Sequence, residues 1–129
     1  HHGVCCDIDC AEDMAWPLDQ AMVAAVLENV ITNTVRYTRD RIHIAAETTG
    51  GWLLLDVEDN GPGFPAAMLG RRAVAEDAPL DPKAGRTGLG LYFCAIIAQM
   101  HDNGDRRGYI ELSNDSGLGG GRFRLALPG

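Results

Sequence analysis

The chain has no run of about 18 apolar residues, the length a membrane-crossing helix needs, so nothing in it reads as a transmembrane span and no membrane contact is expected of it. It has no paired Cys-x-x-Cys. Its four cysteines, Cys5, Cys6, Cys10 and Cys94, miss the usual zinc spacings and read as reduced structural thiols of a cytosolic protein. Basic residues are outnumbered, 11 against 18 acidic for a net charge of −7, and are scattered, so nucleic acid is not an expected partner. There is no repeat, linker or low-complexity stretch. The 129 residues therefore read as a single domain, 1–129, able to bury roughly two-thirds of its unfolded surface. Two common phosphate signatures are missing as well: no loop ends in Gly-Lys-Ser/Thr, and no Gly-x-Gly-x-x-Gly closes a strand-to-helix turn.

Three short runs stand out against these absences. The first, LENVITNTVRYT, lies in a segment from Leu18 to Tyr37 where Met22, Val23, Val26, Leu27, Val30, Ile31 and Thr34 recur at helical steps. Asn29 and Asn33 are one turn apart, with Arg36 and Tyr37 continuing the polar face. Amide oxygens suit a hard cation, and amide nitrogens and a guanidinium suit phosphate. A solvated polar stripe is the plain alternative.

The second run, DNGPGF, follows a strand-length apolar stretch from Trp52, which holds Asp59 at a strand end where the chain turns sharply. An ionised carboxylate there can accept from the exocyclic amine of adenine, and Gly61 and Gly63 let a flat ring approach the main chain. In the third run, GRTGLGL, Gly85, Gly88 and Gly90 precede an apolar helical segment, Leu91 to Met100, so unpaired helix-end amides open onto a flexible loop suited to phosphate.

Together and in this order, the runs resemble the N, G1 and G2 boxes of the catalytic and ATP-binding domain of bacterial sensor histidine kinases, within the GHKL ATPase superfamily. The resemblance extends from about Asp19 to Pro128 and ends in the family-like final strand Gly121 to Pro128. It implies an α+β, Bergerat-type fold: a two-layer sandwich whose mixed, mostly antiparallel sheet of about five strands is covered on one face by about three helices. It also implies ATP and Mg2+ as cofactors. Asn33 becomes the magnesium ligand and Asn29 supports phosphate or ordered water. Arg36, where the family usually has lysine, meets phosphate, and Tyr37 flanks base or ribose. Asp59 reads the adenine amine, while Gly61, Gly63 and Phe64 shape the base pocket. Arg86, Thr87, Gly88, Leu89 and Gly90 complete the phosphate side. Residues 65–86, with Arg71, Arg72, Lys83 and Arg86, correspond to the ATP lid.

Position 29 separates members of the superfamily. Hydrolytic members carry a glutamate there to activate water; Asn29 is an amide and a poor general base, so transfer to a protein acceptor is expected over hydrolysis. The acceptor is not in the chain. Neither His1, His2, His43 nor His101 has the setting of a phosphorylatable histidine; His1 and His2 read as a tag remnant, His43 as a strand residue, His101 as a helix-end cap. The implied partners are thus a histidine-bearing dimerisation domain, in the same parent or in trans, and through it a response regulator. The implied place is the cytoplasm, with a parent open to anchoring in the inner membrane. Two alternatives share the pocket: a serine kinase of the anti-sigma-factor type, and a degenerate nucleotide-sensing or docking module. Two departures from the family are the insert Asp102 to Arg107, expected to lengthen a hairpin or helix cap, and Gly121, where a base-binding threonine is usual.

Overall fold

The computed structural model of the chain describes residues 5–9, 18, 20–64, 69–72 and 88–129. Its elements are β1 (Cys5–Asp9), α1 (Gln20–Tyr37), β2 (Arg41–Thr49), β3 (Trp52–Asp59), β4 (Gly70–Arg72), α2 (Gly88–Met100), β5 (Tyr109–Ser113) and β6 (Arg122–Pro128). They form a six-stranded sheet in the order β1-β2-β3-β6-β5-β4. Only β1 and β2 pair in parallel, joined through α1; every other pair is antiparallel. The expected mixed, mostly antiparallel sheet with its helices on one face is what forms. The described residues hold six strands and two helices where about five and about three were expected. The extra strand, β4, falls inside the stretch that reads as a lid, and three residues are too short to show a period-2 pattern.

Alternation decides the faces. Leu53, Val57, Phe123, Leu125, Leu127, Ile110, Leu112 and Ile42 are all buried and face the helices. Against them α1 sets Val23, Val26 and Val30, and α2 sets Cys94, Ala95, Ile97 and Ala98. The small residues of α2 let that helix lie close to the sheet. Gly108 sits under its last turn, where a β-carbon would be 2.1 Å from Ala98 O. On the face without helices, long polar side chains cover the strands: Arg124 donates from Nε and Nη2 to the Asp56 carboxylate at 2.7 and 2.8 Å. This hydrogen bond holds the guanidinium above its ordinary pKa and lets Asp56 be 9% exposed without an unpaired charge.

The antiparallel register places two sets of turns at opposite ends of the sheet. One end holds the β2–β3 turn, where Gly50 and Gly51 take φ of +57° and +83°, the two positive values of a tight hairpin loop. The insert joins it there as a small hairpin, with Asp102 bridged to Arg107. The opposite end holds Asp59, the α1–β2 connection and the β5–β6 loop.

Candidate nucleotide-binding site

β3 carries Asp59 to the sheet end, 4% exposed, and the main chain grips one of its oxygens. Oδ1 accepts from Gly61 N at 2.8 Å and from Gly121 N at 3.2 Å. The backbone of Asp59 is fixed as well, its N–H donating to Gly121 O at 3.0 Å and its carbonyl accepting from the Ser116 hydroxyl at 2.9 Å. Among the described residues Oδ2 has no hydrogen-bond partner, so the carboxylate is oriented through one oxygen and keeps the other as an acceptor. Such a fixed acceptor suits an exocyclic amine.

The β5–β6 loop closes on the turn after Asp59. A β-carbon at Gly120 would lie 2.5 Å from Asp59 O and Oδ1 and 2.7 Å from Gly61 N, so no side chain fits there. Asn114 accepts from Phe64 N at 2.8 Å and donates to Phe64 O at 3.2 Å, which fixes the far side of the turn. A β-carbon at Gly121 would meet Cδ2 and Cε2 of Phe64 at 3.0 Å. The space a threonine would use is thus occupied by the Phe64 ring, and the Gly121 departure becomes part of a pair.

Asn33, Arg36 and Tyr37 lie on the last two turns of α1, and the next strand begins beside Asp59, since Ile42 pairs with it. Their side chains are outside the described set; Asn29, one turn earlier, is half-buried. Gly88, Leu89 and Gly90 open α2. Because β5 starts where α2 stops and α2 packs back over β5 and β6, the N-terminus of α2 lies toward the Asp59 end. Backbone topology therefore brings the first two runs and the described part of the third, from Gly88 onward, to one end of the sheet. Arg86 and Thr87 lie outside the described residues, as does the expected lid at 65–86 apart from 69–72.

Other sequence readings resolve simply. His101 Nδ1 sits 2.9 Å from Ile97 O, a helix-end contact as expected. Cys94 is fully buried, and that burial pushes its thiol up to about 12, so it is a neutral packing residue. Cys10 lies outside the described residues, and Cys5 and Cys6 are described only as backbone of β1. Ser116, Asn114 and Gly120 were missed. Ser113-Asn-Asp-Ser-Gly signals a turn, but nothing local says that its side chains bond across 50 or 57 residues of sequence to Phe64 and Asp59.

Comparison with known proteins accords with this geometry. Residues 18–129 match the family of histidine kinase-, DNA gyrase B- and HSP90-like ATPases, and the chain belongs to that family. It is 34% identical over 113 residues to the alginate biosynthesis sensor protein KinB of Pseudomonas aeruginosa, covering 86% of this chain and 18% of that protein. It is 30% identical over 118 residues to the sensor histidine kinase CpxA of Escherichia coli K12, covering 88% of this chain and 24% of that one. Among solved structures, the ATP-binding domain of PrrB from Mycobacterium tuberculosis superposes with a TM-score of 0.66 at 27% identity, over 100% of this chain and 82% of that one. The mycobacterial sensor histidine kinase MprB gives 0.73 at 18% identity over 98% and 83%, a likeness of fold alone. The resemblance to histidine-kinase ATP-binding domains is borne out, and the chain spans less than a quarter of the length of the two curated relatives. No helix among the described residues is long and apolar enough to cross a membrane.

Proposed function

We propose that this domain binds Mg-ATP and presents its γ-phosphoryl group to a histidine on a separate helical hairpin, from which a response regulator is served. The observation that carries the reading is Asp59: a buried carboxylate with one oxygen fixed by two backbone amides and the other left to accept, at the sheet end where α1 stops. Gly88, Leu89 and Gly90 would offer amides at the positive end of α2 to phosphate oxygens. Among the described residues no cluster of three or more His, Cys, Asp or Glu could hold an ion by itself. Asn33 would hold magnesium through its amide oxygen, and the ion would neutralise phosphate charge when bound. The acceptor histidine nitrogen forms a bond to the γ-phosphorus as the β–γ bridging P–O bond breaks and ADP leaves. This chain's part is to hold the chain of phosphates in line, and Asn29 in place of a carboxylate gives water no base. The sensor-kinase names of the relatives favour this reading over a serine kinase.

Calorimetric titration with a non-hydrolysable ATP analogue, with magnesium and with chelator, tests it. Saturable binding enhanced by magnesium is expected, and Asn33→Ala should abolish the enhancement. Adding a histidine hairpin from a sensor kinase should then give ATP-dependent phosphohistidine. Absence of binding in both conditions sinks the proposal.

A further inference from the structure

Asn60 follows the adenine-type carboxylate, but its side chain points back to a different part of the molecule. Its Oδ1 accepts from three successive backbone amides, Arg39 N at 3.1 Å, Asp40 N at 3.0 Å and Arg41 N at 3.1 Å. The Thr38 hydroxyl, which donates to Arg41 O at 2.7 Å, also lies 3.1 Å from the same oxygen. Asn60 Nδ2 donates to Asp40 Oδ1 at 2.7 Å. Three convergent N–H groups of consecutive residues form a nest that attracts negative charge, and here an amide oxygen fills it.

The nest covers most of the connection between α1 and β2 and the first residue of the strand. α1 ends at Tyr37 and β2 begins at Arg41, so residues 38–40 join the helix end to the strand. Thr38 N donates to Thr34 O at 2.8 Å, continuing the helical ladder into that connection. Asn60 is peptide-bonded to Asp59, whose own carboxylate is fixed to Gly61 and Gly121. One side chain therefore ties the helix end that carries Asn33, Arg36 and Tyr37 to the residue proposed to read the base. The oxygen and one amide hydrogen of Asn60 are committed to this tie.

We infer that Asn60 is a positioning residue for the nucleotide: it sets the spacing between the base acceptor on β3 and the phosphate-facing end of α1, acting through residues 38–41. The inference rests on the nucleotide reading above and adds a division of labour within it. Loosening the tie should weaken ligands that span both halves more than ligands that use mainly the base half.

The test titrates the domain with Mg-AMP-PNP and, separately, with AMP. Asn60→Ala should lower affinity for AMP-PNP about tenfold, the scale of 1.4 kcal/mol, and that for AMP much less. Asn60→Asp keeps an acceptor in the nest but sets a carboxylate against Asp40, and should also weaken AMP-PNP selectively. The double variant Asn60→Asp with Asp40→Asn restores donor to acceptor in reverse and should recover AMP-PNP binding. This swap carries the test even where Asn60→Ala fails to fold. Equal or proportionate loss of both ligands, or no recovery in the double variant, overturns the positioning role while leaving the nucleotide reading intact. A wild-type domain that binds neither ligand overturns both.

Discussion

The two ends of the sheet are built from similar residue types but differ in what those residues surround. At one end Gly50 and Gly51 turn the chain, Arg106 Nη1 donates to Gly50 O at 2.7 Å, and Asn103 Nδ2 donates to the carbonyl of Gly129 at 2.9 Å. Arg106 also lies over the Trp52 ring, 5.7 Å from its centroid, and Trp52 meets Tyr109 edge-on at 5.3 Å. These bonds join one loop to another, side chain to main chain, and no carboxylate lies at their centre. At the other end glycine, asparagine and serine again brace the loops, but they converge on a buried carboxylate with one oxygen left over. A turn rich in Asn and Gly is thus not evidence of a site; a charged group that the turn orients without consuming is. Burying Asp59 costs solvation that only partly returns through two amide bonds, and a ligand amine would supply the rest.

The most severe way to break this comparison is to fill the space beneath Asp59. Gly120→Ala puts a β-carbon against backbone atoms that have no room to retreat, which should cost about 3 kcal/mol of stability and remove nucleotide binding. Thermal unfolding and calorimetry read the two effects; a variant of native stability that binds normally would show that the loop does not press on Asp59 as described. Asp59→Asn is gentler and more specific. The amide oxygen can still accept from Gly61 and Gly121, but an N–H group then faces the incoming amine, so adenine-nucleotide affinity should fall about ten- to a hundredfold with little change in melting temperature. A larger loss for ATP than for GTP marks the carboxylate as the base reader.

Much of this contrast is legible in the chain itself, and the limits are physical. α1 and α2 follow from helical period and β3 from a strand-length apolar run, and Asp59 stands out because Asn60-Gly-Pro-Gly stops a strand just after it. The insert reads as a longer hairpin or a helix cap, and the Asp102–Arg107 bridge makes it a hairpin. What periodicity does not carry is pairing across long separations. Nothing near Asn60 names residues 38–41 as its partners, and nothing near Gly121 names Phe64 as the side chain that fills its place. β4 was illegible for a different reason, being held by pairing with β5 at the sheet edge rather than by any pattern of its own. Asn33 was legible as a residue type on a helix face, and its role stays with the titration proposed for it.

α2 runs between the two ends, and Cys94 in its middle tests how well the core between them is sealed. Its thiol is pushed up to about 12 from an ordinary 9.0 by burial. The folded state therefore holds the proton more tightly than the unfolded chain. That contribution is complete below about pH 9 and is lost as pH climbs toward 12, at about 1.4 kcal/mol per unit. Chemical denaturation of the wild type and Cys94→Ala at pH 7 and pH 10 should show the wild type's advantage shrinking by that amount. An unchanged gap would mean that the thiol is not sealed in the core.

The smallest effect belongs to the far end. Arg106→Ala removes one hydrogen bond to Gly50 and a cation–π contact with Trp52, both exposed, and should cost about 1 kcal/mol or less. Its value lies in what should not change: affinity for Mg-AMP-PNP ought to match the wild type, because the insert stands at the opposite end of β3 and β6 from Asp59. A loss of affinity comparable to that of Asp59→Asn would mean that the hairpin end communicates with the base acceptor through the strands. The division between a structural end and a binding end would then have to give way to a single coupled sheet.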